Sequence, residues 1–122
     1  MLDDKNLIVA TSYSFALQVI ELYKFLCSEK KEYILSKQLL RSGSSIGANV
    51  NEAQAAISKK DFIAKMSIAS KEARESKYWL MLLRDSCYID PNKQKVQSLF
   101  REIEGIIKIT TSIVKSGQKN AK

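Results

Sequence analysis

The chain contains no histidine, a single proline, four glycines and two cysteines in 122 residues. Without histidine it lacks the side chain most often used as a base near neutral pH, so Ser44 and Ser45 have no partner to activate them as nucleophiles. Glu52, Glu72 and Glu75 likewise cannot complete the Glu-x-x-His ligand set of a di-iron bundle. Cys27 and Cys87 have no CxxC spacing, which argues against a zinc site or a disulfide framework. One proline and few glycines supply too few chain reversals for an all-β fold. No strand leads into a glycine-rich phosphate loop. The amino end, Met1-Leu2-Asp3-Asp4-Lys5-Asn6, is acidic, and the apolar run behind it is broken by Thr11, Ser12, Ser14 and Gln18. That pattern excludes a signal peptide or a membrane-spanning helix, and points to a cytoplasmic protein. The expectation is a protein that is not an enzyme, without catalytic residues, cofactor or metal.

What is present is helical periodicity. Apolar residues make up 45% of the chain and charged residues 27%, the balance of a single globular domain over residues 1–122. The first helix is expected over about 6–27 from an N-cap at Asn6, with a seam of Ile8, Ser12, Phe15, Val19, Leu22 and Leu26. The second is expected over about 33–57. The third, over about 59–88, has Ser58 as N-cap and Asp61 as the acidic member of a capping box. Its seam is Phe62, Met66, Ala69, Ala73, Ser76, Trp79 or Leu80, and Leu83. The fourth, over about 91–115, is opened by Pro91 and carries Val96, Leu99, Ile103, Ile106, Thr110 and Ile113. The tail 116–122 is expected to fray. Short connections make successive helices antiparallel, so the fold class is all-α, an up-down-up-down four-helix bundle.

The stretch 40–54, Leu-Arg-Ser-Gly-Ser-Ser-Ile-Gly-Ala-Asn-Val-Asn-Glu-Ala-Gln, has the composition of a loop and the periodicity of a helix. Gly43 and Gly47, one turn apart, cost a helix about 1 kcal/mol each relative to alanine, which close approach of another backbone offsets. A helix-packing groove follows. With the second and third helices antiparallel about Ser58-Lys59, facing residue numbers sum to about 117, which sets Arg41 near Glu75, Ser45 near Glu72 and Glu52 near Lys65. With Asn49, these residues are expected to form a structural polar groove, its charges paired because burial penalises them otherwise.

Two apolar stripes exceed what one core needs. On the first helix Ala10, Tyr13, Leu17 and Ile20 lie opposite the seam, and on the fourth Phe100, Ile107 and Val114 widen it. Tyr13, Leu17 and Ile20 are therefore the preferred contact residues of a homo-oligomer, with Phe100 and Ile107 as second choice. The net charge of +7 lies in the second half, where residues 59–87 and 88–122 carry +3 and +4. Arg101, Lys108 and Lys115 recur every seventh residue at an outward position, and Lys60, Lys71 and Arg74 are outward on the third helix. These six are the candidate nucleic-acid-binding residues. The competing explanation is a solvated face that keeps a bundle soluble, and the sequence offers no evident exposed aromatic for stacking on bases.

The chain resembles the four-helix-bundle family encoded in intervening sequences of bacterial 23S ribosomal RNA genes. The resemblance rests on residues 40–53, followed by Asp61-Phe62, Lys65, Ile68-Ala69, Lys71-Glu72, Glu75 and Tyr78-Trp79-Leu80. It implies a ring-like homopentamer. In relatives such as the accessory variability determinant of diversity-generating retroelements, it also implies binding of RNA or DNA and of a reverse transcriptase. It supplies no catalytic residues. Two functions stay open: a nucleic-acid-binding oligomer, or a scaffolding bundle that binds a protein partner without nucleic acid.

Overall fold

The computed structural model describes residues 4–120, which form α1 (Asp4–Ser28), α2 (Leu35–Gln54), α3 (Lys59–Asp85) and α4 (Gln94–Asn120). Each helix packs on the next and α1 closes against α4, giving an up-down-up-down four-helix bundle. The seams bury as their spacing requires: Ile8, Phe15, Val19 and Leu26 from α1, Met66, Ala69, Ala73, Leu80 and Leu83 from α3, and Val96, Leu99, Ile103, Ile106 and Ile113 from α4. Hydroxyls in these seams are satisfied inside their own helices. Ser12 Oγ donates to the Val9 carbonyl at 3.3 Å and Thr110 Oγ1 to that of Ile106 at 2.8 Å. The buried Ser76 hydroxyl donates to Ser42 Oγ at 2.9 Å, and two such small residues let α2 and α3 approach closely.

Helix α2 runs unbroken through both glycines, and α1 fills the space they leave. A β-carbon at Gly43 would lie 3.1 Å from both Val19 methyls, and one at Gly47 would lie 3.5 Å from the Ser12 carbonyl oxygen. The glycines thus face α1, whereas Arg41 reaches toward α3. The small-residue groove and the charged seam are two different sides of the same helix.

Several helix ends differ from the sequence expectation. Asn6 lies inside α1 rather than capping it, and Asp4 stands in the first turn, where a carboxylate suits the helix dipole. Tyr33 and Ile34 precede α2, and Ala55 to Ile57 follow it, leading the chain into the α3 cap at Ser58. That cap forms as expected: Ser58 Oγ accepts from the Asp61 N–H at 3.0 Å, and Asp61 Oδ2 from that of Ile57 at 3.3 Å. Helix α3 stops at Asp85, short of Tyr88. Cys87 takes a left-handed φ of 68° while its N–H bonds the Arg84 carbonyl at 3.0 Å and the Tyr88 N–H bonds that of Leu83 at 2.9 Å. This is a Schellman stop with cysteine where glycine is usual. Pro91 sits in a turn rather than in the first turn of α4, held by the Asn92 N–H donating to Asp90 Oδ1 at 2.9 Å. At the other end α4 continues to Asn120, so residues 116–120 are helical rather than frayed. Residues 1–3 and 121–122 of the expected domain and tail lie outside the described residues.

Candidate nucleic-acid interface

The α3–α4 pair gathers the six basic candidates. Lys60, Lys71, Arg74, Arg101, Lys108 and Lys115 are all exposed. Arg74 Nη2 donates to Thr111 Oγ1 at 3.0 Å, which marks the antiparallel register that sets the α3 cations beside the α4 stripe. Of the two acidic side chains of α4, one is neutralised on this face and the other leaves it. Glu104 pairs with Lys77 at 2.5 Å on the seam. Glu102 turns to α1, accepting from Ser14 Oγ at 3.2 Å and from Gln18 Nε2. Arg84 is engaged too, paired with Asp85 at 2.8 Å and lying 5.0 Å over the Phe100 ring. An exposed aromatic does stand on this side, contrary to the sequence reading: Tyr78 is 54% exposed, one heptad after Lys71.

The middle of the α1–α2 side carries no charge. The Gly43–Val19 and Gly47–Ser12 contacts bring residues 10–20 of α1 alongside residues 42–51 of α2, and neither run contains a charged residue. Tyr13, Leu17 and Ile20 are 65%, 50% and 37% exposed on it. Ser44, Ala48 and Asn51 are exposed beside them. Phe100 and Ile107 are placed differently. Both are half-buried against the core with Val114, so the extra width of the α4 stripe is largely taken up within the chain.

On the α2–α3 seam Arg41 bridges both carboxylates, reaching Glu72 at 3.3 Å and pairing with Glu75, while its Nε donates to Gln38 at 3.4 Å. The Trp79 indole N–H also donates to Glu75 Oε2, at 2.9 Å. Glu52 is exposed and forms no ion pair with the half-buried Lys65. Ser45 Oγ accepts from Asn49 Nδ2 at 3.1 Å instead of meeting Glu72. The expected groove is therefore one bridging arginine rather than a row of pairs. The Arg41 side chain is 51% exposed, so solvent screens the bridge. Arg41→Met should cost about 1 kcal/mol in denaturant unfolding, because it leaves two half-buried carboxylates one turn apart. A loss under about 0.5 kcal/mol would mean the bridge is only a surface contact.

Glu32, which falls between the expected first and second helices, is a buried carboxylate at the start of α2. Its Oε2 accepts the N–H groups of Ile34 at 3.1 Å and Leu35 at 3.0 Å, and its Oε1 that of Ser36 at 2.8 Å. Burial alone would push its carboxyl up, but donation from Leu35, Ser36 and Ile34 outweighs that and holds it below the ordinary value. The signal available in sequence was glutamate four residues before a serine, too common to single out. Near this end, α1, the 87–93 turn and the start of α4 enclose a cleft of about 1000 Å³ walled by Leu22, Phe25, Tyr88, Ile89, Val96 and Leu99. Among the described residues no three Cys, Asp or Glu side chains converge on one point. Nor is any helix there long and apolar enough to cross a membrane.

The family model of the 23S rRNA-intervening sequence protein matches residues 4–112. A crystal structure from Bacteroides thetaiotaomicron, described as a protein of unknown function from the S23 ribosomal protein family, is 45% identical in sequence. It superposes with a TM-score of 0.86, over 93% of this chain and 99% of that one. No curated protein matches the sequence.

Proposed function

The chain belongs to the 23S rRNA-intervening sequence protein family, and from that premise we propose that it is a non-catalytic, oligomeric bundle that binds RNA or DNA through its α3–α4 face. The observation that carries the reading is the division of the surface. The uncharged middle of the α1–α2 side leaves Tyr13, Leu17 and Ile20 uncovered, and the opposite side collects Lys60, Lys71, Arg74, Arg101, Lys108 and Lys115, with Glu102 turned to α1 and Glu104 neutralised by Lys77. Association through the first side buries apolar surface without desolvating charge. It also repeats the basic stripe around the assembly, five times if the subunit number is the one the resemblance implies. Phosphates then displace counterions from their own atmosphere, and affinity falls steeply with salt. No base-reading constellation accompanies the stripe, so strong sequence preference is not expected.

Titration of labelled RNA and duplex DNA at several salt concentrations tests this. Binding at low salt should decline linearly in a double-logarithmic plot, and changing Arg101, Lys108 and Lys115 together to glutamate should abolish it. Absence of binding even at low salt, or binding that survives the triple change, leaves the scaffolding function, in which a protein such as a reverse transcriptase is the partner.

A further inference from the structure

Tyr78 is braced in a way that an incidental surface tyrosine is not. Its ring meets that of Trp79 edge-on, with centroids 5.3 Å apart and planes at 65°. Trp79 is itself half-buried against the core and tied through its indole N–H to Glu75 at 2.9 Å. Glu75 in turn is held by Arg41, so a chain of contacts from α2 through α3 sets the indole that supports the tyrosine. Basic positions flank the ring along its helix. Arg74 lies one turn before it and Lys71 one heptad before it on α3. The Arg74–Thr111 bond supplies the height on α4: moving four residues on from Arg74 reaches Tyr78, and moving three back from Thr111 reaches Lys108.

An aromatic face with restricted motion between lysine and arginine positions is the arrangement that single-stranded nucleic acid uses, stacking a base on the ring while the backbone follows the charges. Paired bases in a duplex cannot offer their faces in this way. Resting on the nucleic-acid reading above, we propose that Tyr78 is a base-stacking platform and that the α3–α4 face takes single-stranded RNA or DNA in preference to duplex.

The test uses the full chain and fluorescein-labelled oligonucleotides of about 15 nucleotides, as single-stranded RNA, single-stranded DNA and DNA duplex of the same sequence. A second single-stranded probe carries 2-aminopurine, whose emission reports stacking. The single strands should bind more tightly than the duplex. Tyr78→Ala should weaken single-strand binding about 5- to 100-fold while leaving duplex affinity and the salt slope unchanged, and Tyr78→Phe should restore it. The 2-aminopurine change should appear with wild type and Tyr78→Phe and vanish with Tyr78→Ala. The ring is exposed, so these changes leave the fold intact. Equal single-strand affinity for wild type and Tyr78→Ala overturns the platform. If the triple glutamate variant still loses binding in that case, the basic face survives without it. Failure of every probe to bind overturns the nucleic-acid reading and the platform together.

Discussion

Changing Leu17 to glutamate is expected to reduce the protein to its monomer mass of 13.8 kDa in sedimentation equilibrium at micromolar concentration, while its far-UV circular dichroism stays that of the wild type. Leu17 is 50% exposed in the single chain. A glutamate there remains hydrated in the monomer and should change its stability by no more than about 0.5 kcal/mol. In an assembly closed through the α1–α2 side the same carboxylate is buried, and residues 10–20 and 42–51 supply no cation to meet it. An unpaired buried charge costs several kcal/mol, a large share of what a subunit contact of ordinary size contributes. The choice of α1 over α4 follows from burial: Phe100 and Ile107 already spend much of their surface on the core. A wild type that sediments as a monomer, or a Leu17→Glu protein of unchanged mass, removes this face as the contact.

The second large effect concerns Glu32. Glu32→Ala leaves the Ser36 N–H buried without a partner and removes a carboxylate from three donors at a helix start, so a loss of about 2–3 kcal/mol is expected. At equal protein concentration this lowers Tm by roughly 8–12 °C for a chain of this size. Glu32→Gln keeps the shape and removes the charge, and should cost about 1–2 kcal/mol at neutral pH. The pH dependence has a definite sign. The folded-state carboxyl is held below its unfolded value, so its contribution is complete above the ordinary carboxylate range and is lost as pH falls through the depressed folded value. The stability gap between wild type and Glu32→Gln, measured by denaturant midpoint from neutral pH down to pH about 3, should therefore shrink on acidification. A gap that is constant with pH would show that the charge plays no part and only packing was disturbed.

Much of this architecture was written in residue spacing. The α1, α3 and α4 seams are legible because a helix returns the same face every three or four residues, and that period depends only on backbone geometry. Ser58 and Asp61 announced the α3 start because a cap is a local hydrogen bond between near neighbours. Arg41 beside Glu75 followed from antiparallel register about a short turn. The six basic positions were likewise outward by period alone.

Other features depended on how the helices meet. Periodicity shows that Gly43 and Gly47 share a side of α2, but the neighbour that fills it, α1 rather than α3, is decided by side-chain volumes on two helices at once. The same fact separated the glycine face from Arg41. The α3 stop was hidden because Cys87 adopts the left-handed conformation that glycine usually advertises. Glu32 was hidden because its partners are backbone N–H groups, which every residue but proline carries and which only a chain reversal aims at one carboxylate. The amino-acid order by itself determined the helices, their inward faces and the excess of positive charge. Only the tertiary structure decided that two charge-free runs thirty residues apart lie side by side and that Arg74 of α3 meets Thr111 of α4 one turn from Tyr78. Those adjacencies come from interhelical register, and register is set by the packing of whole faces rather than by any local sequence signal.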